Sequence, residues 1–429
     1  MSAVRAGAAA QPLRILFVAT KPAYPPSDGG KLLMWHTIEE LAQSGHEICF
    51  VAPDLGLEVG ASEAALRRHC REVHLVPSRV KRIPPSLMVA YLRHQPLSII
   101  RHSHEAVRRR VAELLQRQRF DLIHAEQIHA LSNLPATPSL PPVVVRAQNV
   151  ESQLWRMLAR IRPRFAWLAR REGRRMAAHE AQAVARAAAT VTLTAHDGAI
   201  LGGGTGMAAR RVRVIPPPFP SPLESAEETL GGEPAVVLVG GGWLPNRDST
   251  AWFLGSIWEH IRRRSPGARL HVFGGDRPQA EPDISWRPAP ASSVSLFDPA
   301  SILVVPLRVA SGIRMKILEA WARGVPVIAT PEAVSGLEGD GARGFILAAD
   351  GPGFAAAVER IYRERGLADG LVAAGRAELA ERHDPGRVIA ALERVYLDAL
   401  SISEPSAAQP GARGARPPRR AASPSPLAH

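Results

Sequence analysis

The sequence is poor in cysteine, in aromatic residues and in long apolar runs. Two cysteines in 429 residues are too few for a disulfide scaffold, and they fit a reducing cytosol. Aromatic residues make up only 5% against an apolar total of 46%, so we expect a core of Ala, Val, Leu and Ile and exclude wholesale disorder. No run approaches the roughly 18 apolar residues of a membrane span, and the Ala-rich start lacks a signal-peptide core. A cytoplasmic protein is therefore expected.

Lysine is also scarce, although positive charge is not. The 53 basic residues exceed the 40 acidic ones, for a formal net charge of +13, and lysine occurs only as Lys21, Lys31, Lys81 and Lys316. An anionic partner would explain the excess, but genomic base composition explains part of it equally well. Basic stretches are not interleaved with aromatic residues, so we expect no nucleic-acid partner.

Short apolar runs alternate with helical patterns along most of the chain. The runs are four to six residues long, rich in Val, Ile and Leu, and not alternating, which is typical of parallel strands covered by helices on both faces. We predict strands over residues 14–19, 47–52, 73–76, 122–125, 143–147, 190–194, 212–215, 235–239, 270–273, 302–305 and 327–329. The predicted class is α/β, with two Rossmann-like doubly wound domains facing across a cleft.

The segment Pro216–Pro222, which reads PPPFPSP, marks the boundary between the two domains. Successive prolines end a strand and stiffen a link. The resulting division is a disordered tail over 1–12, a first α/β domain over 13–216, a linker over 217–222, a second α/β domain over 223–385, a helix over 386–403 and a disordered tail over 404–429.

Two predicted strands open into glycine-containing loops before a helix. Glycine lets backbone amides approach a ligand closely, and the start of a helix is a ready anion site. The first loop lacks the G-x-G-x-x-G spacing of dinucleotide sites, and an ordinary strand-to-helix loop is the alternative. The glycines concerned are Gly29 and Gly30 in the first loop and Gly241 and Gly242 in the second.

A third motif, Val305–Ile328, places charged residues at the start of a helix. A loop ending at Gly312 leads into the helix, with Arg314 at its start and with Lys316 and Glu319 three residues apart on one face. Positive side chains at a helix start suit a diphosphate, and a nearby carboxylate suits sugar hydroxyls. The alternative is an ion pair between Lys316 and Glu319 on a solvated helix.

This motif resembles the signature of the GT-B-type family 4 glycosyltransferases, in which a helix carries a Glu in a pattern like E-A-x-A-x-G-x-P-V-[VI]-A. Here it reads Glu319-Ala-Trp-Ala-Arg-Gly-Val-Pro-Val-Ile-Ala329. The PPSDGG loop and the segment Val239–Asn246 are similar to further family segments. Gln148–Ser152 resembles the H-N-V-E-S stretch of a bacterial subgroup. The resemblance runs from about Leu13 to Leu400.

The resemblance implies a retaining, metal-independent hexosyltransferase without a cofactor. Such an enzyme moves a sugar from a nucleotide-diphosphate sugar to a glycan or lipid-linked acceptor, in polysaccharide or glycolipid biosynthesis at the cell surface. It implies that Arg314 and Lys316 hold the diphosphate and stabilise the leaving group, while Glu319 binds the ribose. The donor-binding positions it gives are Gly29, Gly30, Gly241, Gly242, Ser311, Gly312 and Glu319.

The sequence departs from the family pattern at three places. A second Glu, eight residues before the helix Glu, often contacts the donor sugar, and Ser311 stands there. The usual cleft His falls at Glu126, with His124 two residues earlier, so either side chain is a candidate catalytic contact, and a core histidine is the alternative for His124. Gln148 stands where the subgroup has His. These departures keep two alternatives open: a non-catalytic partner of a polysaccharide assembly complex, or a nucleotide-sugar epimerase with acid–base carboxylates.

Two further segments have competing interpretations. Residues 156–186 contain nine Arg and two Glu, which indicates either a solvated helix pair or a basic surface that docks on anionic lipid at the inner face of the cell membrane. His102 and His104 lack the partners of a zinc site, and we expect them at a solvated helix start.

Overall fold

The computed structural model describes residues 11–56, 59–203, 206–226, 229–242, 244–274, 281–288, 293–337 and 344–403. The tails predicted over 1–12 and 404–429 lie outside the described residues, apart from Gln11 and Pro12. Trp243 of the second glycine loop also lies outside them.

The first sheet has seven parallel strands in the order β3-β2-β1-β4-β5-β6-β7. Ile15 and Phe17 of its first strand enter one apolar cluster, whereas Leu16 and Val18 enter a second cluster on the opposite face. Because both faces are covered, the strands read as continuous apolar runs. Their bounds are β1 (Arg14–Val18), β2 (Glu47–Asp54), β3 (Glu72–Pro77), β4 (Leu122–Glu126), β5 (Val143–Ala147), β6 (Ala189–Thr192) and β7 (Val212–Val214).

The second sheet has six parallel strands in the order β10-β9-β8-β11-β12-β13. Val237 and Leu303 pack on one face, and Val236 and Ile302 on the other. The bounds are β8 (Ala235–Val239), β9 (Arg269–Phe273), β10 (Ile284–Arg287), β11 (Ser301–Val305), β12 (Val327–Ala329) and β13 (Phe345–Leu347). Together the two sheets confirm the predicted class of two doubly wound α/β domains.

Two strands were not predicted, and both lie at the edges of the second sheet. β10 and β13 are short, and both carry partly or fully exposed positions. An edge strand pairs with another strand on one side only, and its side chains are less completely buried. Its sequence therefore need not be a continuous apolar run. Three predicted strands run past the observed ends, since β1 ends at Val18, β6 at Thr192 and β7 at Val214. The difference is largest at β6, because Thr194 instead caps the next helix by accepting a hydrogen bond from the Asp197 amide at 3.0 Å.

Helices cover both faces of each sheet. The helices before the linker are α1 (Gly29–Gln43), α2 (Val59–Leu66), α3 (Ile83–Leu92), α4 (Leu97–His102), α5 (Glu105–Arg117), α6 (Glu151–Ile161), α7 (Ala166–Arg186), α8 (Ala195–Gly202) and α9 (Met207–Arg211). Those after it are α10 (Leu244–Ser256), α11 (Trp258–Arg264), α12 (Met315–Arg323), α13 (Pro331–Val334), α14 (Gly351–Arg363), α15 (Arg365–Arg382) and α16 (Pro385–Ser403). Short 3₁₀ turns span Ile128–Asn133, Pro163–Phe165 and Ser293–Leu296. None of the described helices is both long and apolar enough to span a bilayer.

The last helix, α16, returns to the first domain. Its apolar face, with Leu392 and Tyr396, belongs to the same buried cluster as Phe17 and Phe50 of the first sheet. His46 and Glu393 fix it further, with the imidazole Nε2 3.0 Å from the carboxylate. The first domain therefore contains residues from both ends of the described chain.

Candidate active site

A cavity of about 830 Å³ lies between the two domains, at the carboxyl ends of both sheets. The loops after β1, β4 and β5 form one wall, and those after β8, β9 and β11 form the other. Its size falls in the range of small-molecule sites, about 300–1,000 Å³. The predicted site residues that it brings together are Gly29, Gly30, Gly241, Gly242, Arg314, Lys316 and Glu319.

The first glycine loop is anchored by Asp28. Its carboxylate accepts a hydrogen bond from the Lys31 amide at 3.0 Å, which starts α1 at Gly29, and it forms a salt bridge with Lys21 at 2.7 Å. Burial disfavours its ionisation, but Lys21 outweighs burial and lowers the pKa of Asp28. The negative charge of Asp28 at the start of α1 is therefore already balanced by Lys21.

Packing requires glycine at the start of α1. A Cβ on Gly30 would lie 2.6 Å from the Gln148 amide oxygen, and a Cβ on Gly29 would lie 3.1 Å from the Met315 side chain of the opposite domain. A side chain at Gly30 would displace the Gln148 side chain within the first domain, whereas a side chain at Gly29 would press on Met315 of the second domain. Gly29 therefore sets the width of the cavity at this point.

The start of α12 presents two cations to the cavity, Arg314, which is buried, and Lys316, which is partly buried. Arg314 is the residue before the helix, and its Nε has no hydrogen-bond partner among the described residues. Burial lowers the pKa of Arg314 to about 10, against a smaller opposing effect of Asp197. The Lys316 ammonium donates to the Val239 carbonyl oxygen at 3.0 Å, and burial, with Arg314 nearby, lowers its pKa to about 8.

Within the described part of the chain, neither cation forms a salt bridge. A buried charge without a partner is expensive, and an anion in the cavity would supply the missing counter-charge. The adjacent helix start and the glycines of the opposite loop add backbone amides, which are further ligands for phosphate.

Glu319 lies one turn further along α12 and also lines the cavity. It is buried, contacts Arg323 at 3.1 Å and accepts a hydrogen bond from Ser293. The alternative of a solvated pair with Lys316 is wrong, since Glu319 pairs with Arg323 on the next turn. Its carboxylate is held in place by protein groups and can accept from a ligand hydroxyl.

Ser311 and Gly312 do not line this cavity, which corrects their assignment as donor contacts. The Ser311 hydroxyl accepts from the Val150 amide at 2.9 Å, and the Gly312 amide donates to Asp197 at 3.0 Å. Gly312 has φ +70°, and a Cβ there would lie 2.2 Å from the Gln148 carbonyl oxygen. Both residues join the two domains directly, beside a smaller cavity of about 110 Å³.

Glu126 and His124 are also placed behind the cavity wall, which corrects the expectation that either contacts substrate. Both side chains are fully buried. Arg146 donates to the Glu126 carboxylate through Nε at 2.9 Å, and Tyr396 of α16 lies 2.7 Å from His124 Nδ1. Burial opposes ionisation of Glu126, but Arg146 outweighs it and lowers the pKa. Burial also lowers the pKa of His124, so its imidazole is neutral.

Two glutamines connect this buried pair to the cavity. Gln148 donates to Glu126 at 2.9 Å and accepts from Gln127 at 2.9 Å, and Gln127 in turn accepts from the Thr20 hydroxyl at 2.6 Å. Gln127 has φ +69° and ψ 146°, a conformation that costs a non-glycine residue of order 1–3 kcal/mol. In this conformation the side-chain amide of Gln127 lies in the cavity wall. The hydrogen bond to Glu126 holds the Gln148 side chain against Gly30.

Several residues of the first-domain wall were not predicted as site residues, among them His129, His102 and Glu151. His129 is buried, lines the cavity and has no partner for either ring nitrogen among the described residues. His102 lies 4.6 Å from it, ring centroid to ring centroid. Burial lowers the pKa of both, most strongly for His129. The prediction that His102 and His104 lie at a solvated helix start is wrong, because His102 lines the cavity and His104 is buried.

Glu151 is the third residue, and it opens α6 at the same wall. Burial, together with the neighbouring Glu180, raises its pKa to about 7. The only sign in the sequence that Glu151 could belong to the site was its position in the Gln148–Ser152 segment. No sequence spacing indicated that it lies on the same wall as His129 and His102.

One group among the described residues could hold a metal ion, and it lies outside the cavity lining. The ligand atoms of Cys49, Glu72 and His74 are within 4.8 Å of one another at the edge of the first sheet. Glu72 already accepts from His74 and Gln118, and burial raises the pKa of Cys49 to about 12, so the thiolate that a metal needs is disfavoured. Metal-independent chemistry stays a prediction.

Two protein-family models match the chain. The model for the glycosyl transferase 4-like domain matches residues 29–218, and that for glycosyl transferases group 1 matches residues 233–364. Together they cover more than half of the chain. No curated protein sequence matches closely enough to count as a relative.

Solved structures show the same fold at low identity. HepE from Anabaena, in complex with UDP and glucose, has a TM-score of 0.60 at 13% identity, over 89% of this chain and 98% of its own. Sucrose-phosphate synthase from Thermosynechococcus elongatus has a TM-score of 0.66 at 14% identity, over 91% and 100%. A glycosyltransferase from Rickettsia africae has 0.56 at 10%, over 92% and 100%.

Proposed function

Because the chain belongs to the family of group 1 and 4-like glycosyltransferases of the GT-B fold, we propose that it moves a sugar from a nucleoside-diphosphate sugar to an acceptor hydroxyl. The observation that carries the donor class is the pair of cations at the start of α12, of which Arg314 is buried and Lys316 is partly buried. Arg314 and Lys316 face the cavity without a salt bridge to any described carboxylate. A diphosphate supplies the anion that such a site needs.

The donor is proposed to lie along the second-domain wall. Its diphosphate contacts Arg314 and Lys316, and its ribose hydroxyls donate to Glu319, one turn further along the same helix. As the bond between the anomeric carbon and the β-phosphate oxygen breaks, the electron pair goes to the phosphate. The two cations stabilise the growing charge, and the fold already holds them at the start of α12, so the stabilisation needs little reorganisation.

The acceptor is proposed to approach from the first-domain wall. In a retaining transfer its oxygen bonds to the anomeric carbon on the face that the diphosphate leaves, and its proton passes to the departing phosphate oxygen. His129 and Glu151 line this side of the cavity, and each can accept from or donate to an acceptor hydroxyl. A glycan or a lipid-linked acceptor in cell-surface polysaccharide or glycolipid synthesis fits this arrangement, and no step in it uses a metal.

A thermal-unfolding screen with a panel of nucleotide sugars tests the donor assignment. The correct donor should raise the melting temperature, and calorimetry should show that Glu319→Ala abolishes its binding. Glu364→Ala is the matched control, since this exposed residue forms only a surface pair with Arg360. Unchanged affinity of the Glu319 variant would contradict the site.

Transfer is then measured by mass spectrometry with the donor so identified. A glycosylated acceptor supports the proposal. A sugar nucleotide that changes without any acceptor would indicate an epimerase, and donor binding without transfer to any acceptor tested would indicate a non-catalytic partner. Either result would overturn the transferase proposal.

A further inference from the structure

Exposed apolar side chains are concentrated at one place on the first domain. Seven of the thirteen large hydrophobic side chains that are exposed among the described residues lie on or beside α3 and at the turn between α6 and α7. Their exposed fractions run from 54% to 68%. We call this set the apolar patch: Val80, Ile83, Met88, Tyr91, Leu92, Phe165 and Trp167.

The two parts of the apolar patch form one surface. The Arg171 guanidinium lies 5.2 Å from the centroid of the Tyr91 ring, which brings α7 against α3. Trp167 precedes Arg171 by four residues on α7, so both share a helical face. The Leu97 amide donates to the buried Glu172 carboxylate at 2.7 Å, and this contact fixes the α3–α4 segment to α7.

The charge around the apolar patch has one sign. Residues 78–104 and 152–171 contain no Asp or Glu, whereas they contain eleven basic residues. Eight of these are exposed: Arg79, Arg82, Arg93, Arg156, Arg160, Arg162, Arg164 and Arg170. Large apolar side chains ringed by arginine are the pattern of surfaces that bind anionic lipid, in which the apolar groups enter the acyl boundary and the cations meet the headgroups.

The surface is also continuous with the acceptor side of the cavity. α4 packs on α3 through Ala90, Leu97 and Ile100, and its other side supplies Ser98, Arg101 and His102 to the cavity wall. One short helix therefore separates the apolar patch from the cavity. A bilayer on the patch would hold the head of a lipid-linked substrate at the wall where an acceptor must enter, which favours a lipid surface over a protein partner.

We propose that the apolar patch docks the first domain on an anionic lipid bilayer and so presents a lipid-linked acceptor to the cavity. The delivery of acceptor rests on the proposed transferase function. Binding to the bilayer does not, and it is measured without any substrate.

Vesicle flotation with the full chain tests the docking. Vesicles of equal parts phosphatidylcholine and phosphatidylglycerol should carry the protein, and those of phosphatidylcholine alone should not. Tyr91→Glu combined with Trp167→Glu should lower binding to the anionic vesicles at least about tenfold, because two aromatic side chains no longer insert. Tyr362→Glu is the matched control, since Tyr362 is a 47% exposed aromatic residue of α14 in the second domain.

Absence of binding to the anionic vesicles, or equal binding of the double variant, would overturn the proposal. Sedimentation without lipid tests the alternative that a second copy of the chain binds the apolar patch. A dimer that dissociates in the double variant would also overturn it. An unchanged melting temperature would show that the double variant is folded, which we expect because Tyr91 and Trp167 are both exposed. If vesicles bind but no acceptor is glycosylated, the transferase function fails and the docking stands.

Discussion

The first domain holds a buried ion pair, Glu126 and Arg146, behind the cavity wall, whereas the second domain presents two cations, the buried Arg314 and the partly buried Lys316. The charges of the two pairs are balanced differently. Arg146 meets Glu126 through two nitrogens, and Gln148 and His124 complete the carboxylate's contacts. Arg314 and Lys316 have no described carboxylate within salt-bridge distance.

The difference separates structural charge from binding charge. A buried pair with all its hydrogen bonds made holds its neighbours in place but offers nothing to a ligand. Two neighbouring cations without a counter-ion, one of them buried, cost free energy in the empty protein and recover it when an anion binds. Ligand contacts are therefore better identified by missing partners than by burial or by position at a strand end.

Removing the balanced cation should have the largest effect. Arg146→Met leaves the Glu126 carboxylate buried and unpaired, so the free energy of unfolding should fall by about 3–5 kcal/mol. Urea unfolding measures this fall, and adding Glu126→Gln should recover most of it. Arg67→Met, which breaks the exposed pair with Glu63, should cost less than about 1 kcal/mol. Equal costs for Arg67 and Arg146 would break the comparison.

The unbalanced cation should behave in the opposite way. Arg314→Met should lower the transfer rate by about 100- to 1,000-fold, as does the loss of a charge-stabilising donor in other enzymes, while the free energy of unfolding stays the same or rises. Steady-state kinetics and urea unfolding measure the two effects. Arg323→Met should instead lower stability, because it leaves Glu319 without its partner. A destabilised Arg314 variant would contradict the assignment.

Glu151 sharpens the comparison, since it is a carboxyl group on the first-domain wall without a cation partner of its own. In the unfolded chain it ionises near pH 4.5, but the folded protein keeps its proton to about pH 7. Stability should therefore fall as pH rises from 4.5 to 7, by up to about 3 kcal/mol relative to Glu151→Gln. Unfolding at several pH values checks this. A difference that does not change with pH would contradict it, and Glu364→Gln should show none.

Lys316 should give the smallest effect, a pH dependence of donor binding. Its pKa of about 8 means that the free site loses this charge above pH 8, whereas a bound diphosphate keeps the ammonium protonated. Affinity for the nucleoside diphosphate of the donor identified in the thermal-unfolding screen should then fall by up to about tenfold per pH unit above 8. Calorimetry in buffers of different ionisation enthalpy should show proton uptake, and Lys316→Arg should remove the pH dependence. Constant affinity from pH 7 to 9 would contradict the buried ammonium.

What the sequence predicts well is local. Arg314, Lys316 and Glu319 lie within six residues on one helix, so helical spacing and the strand-end position were enough to group them at the cavity. Nine of the eleven predicted strands lie inside the sheets, where burial on both faces produces continuous apolar runs, and the edge strands β3 and β7 have such runs despite their exposed positions. The edge strands β10 and β13 lack that burial and gave no such signal.

The wrong assignments depended on distant contacts. His124 and Glu126 share one face of β4, and that face is covered by Tyr396, which lies 272 residues after His124 in the sequence. No local pattern shows that a helix from the far end of the chain covers this strand. Ser311 and Gly312 were misassigned for a similar reason, because their partners, Val150 and Asp197, come from the opposite domain.

The return of α16 to the first domain also sets the order in which the protein can be completed during synthesis. Domains of a nascent chain generally fold in turn from the amino terminus. Here the apolar cluster of the first sheet needs Val388, Leu392 and Tyr396, so that domain leaves the ribosome with one side of its core still uncovered. The domain that is made first is finished last, and its exposed face must stay free of aggregation while the whole second domain is translated.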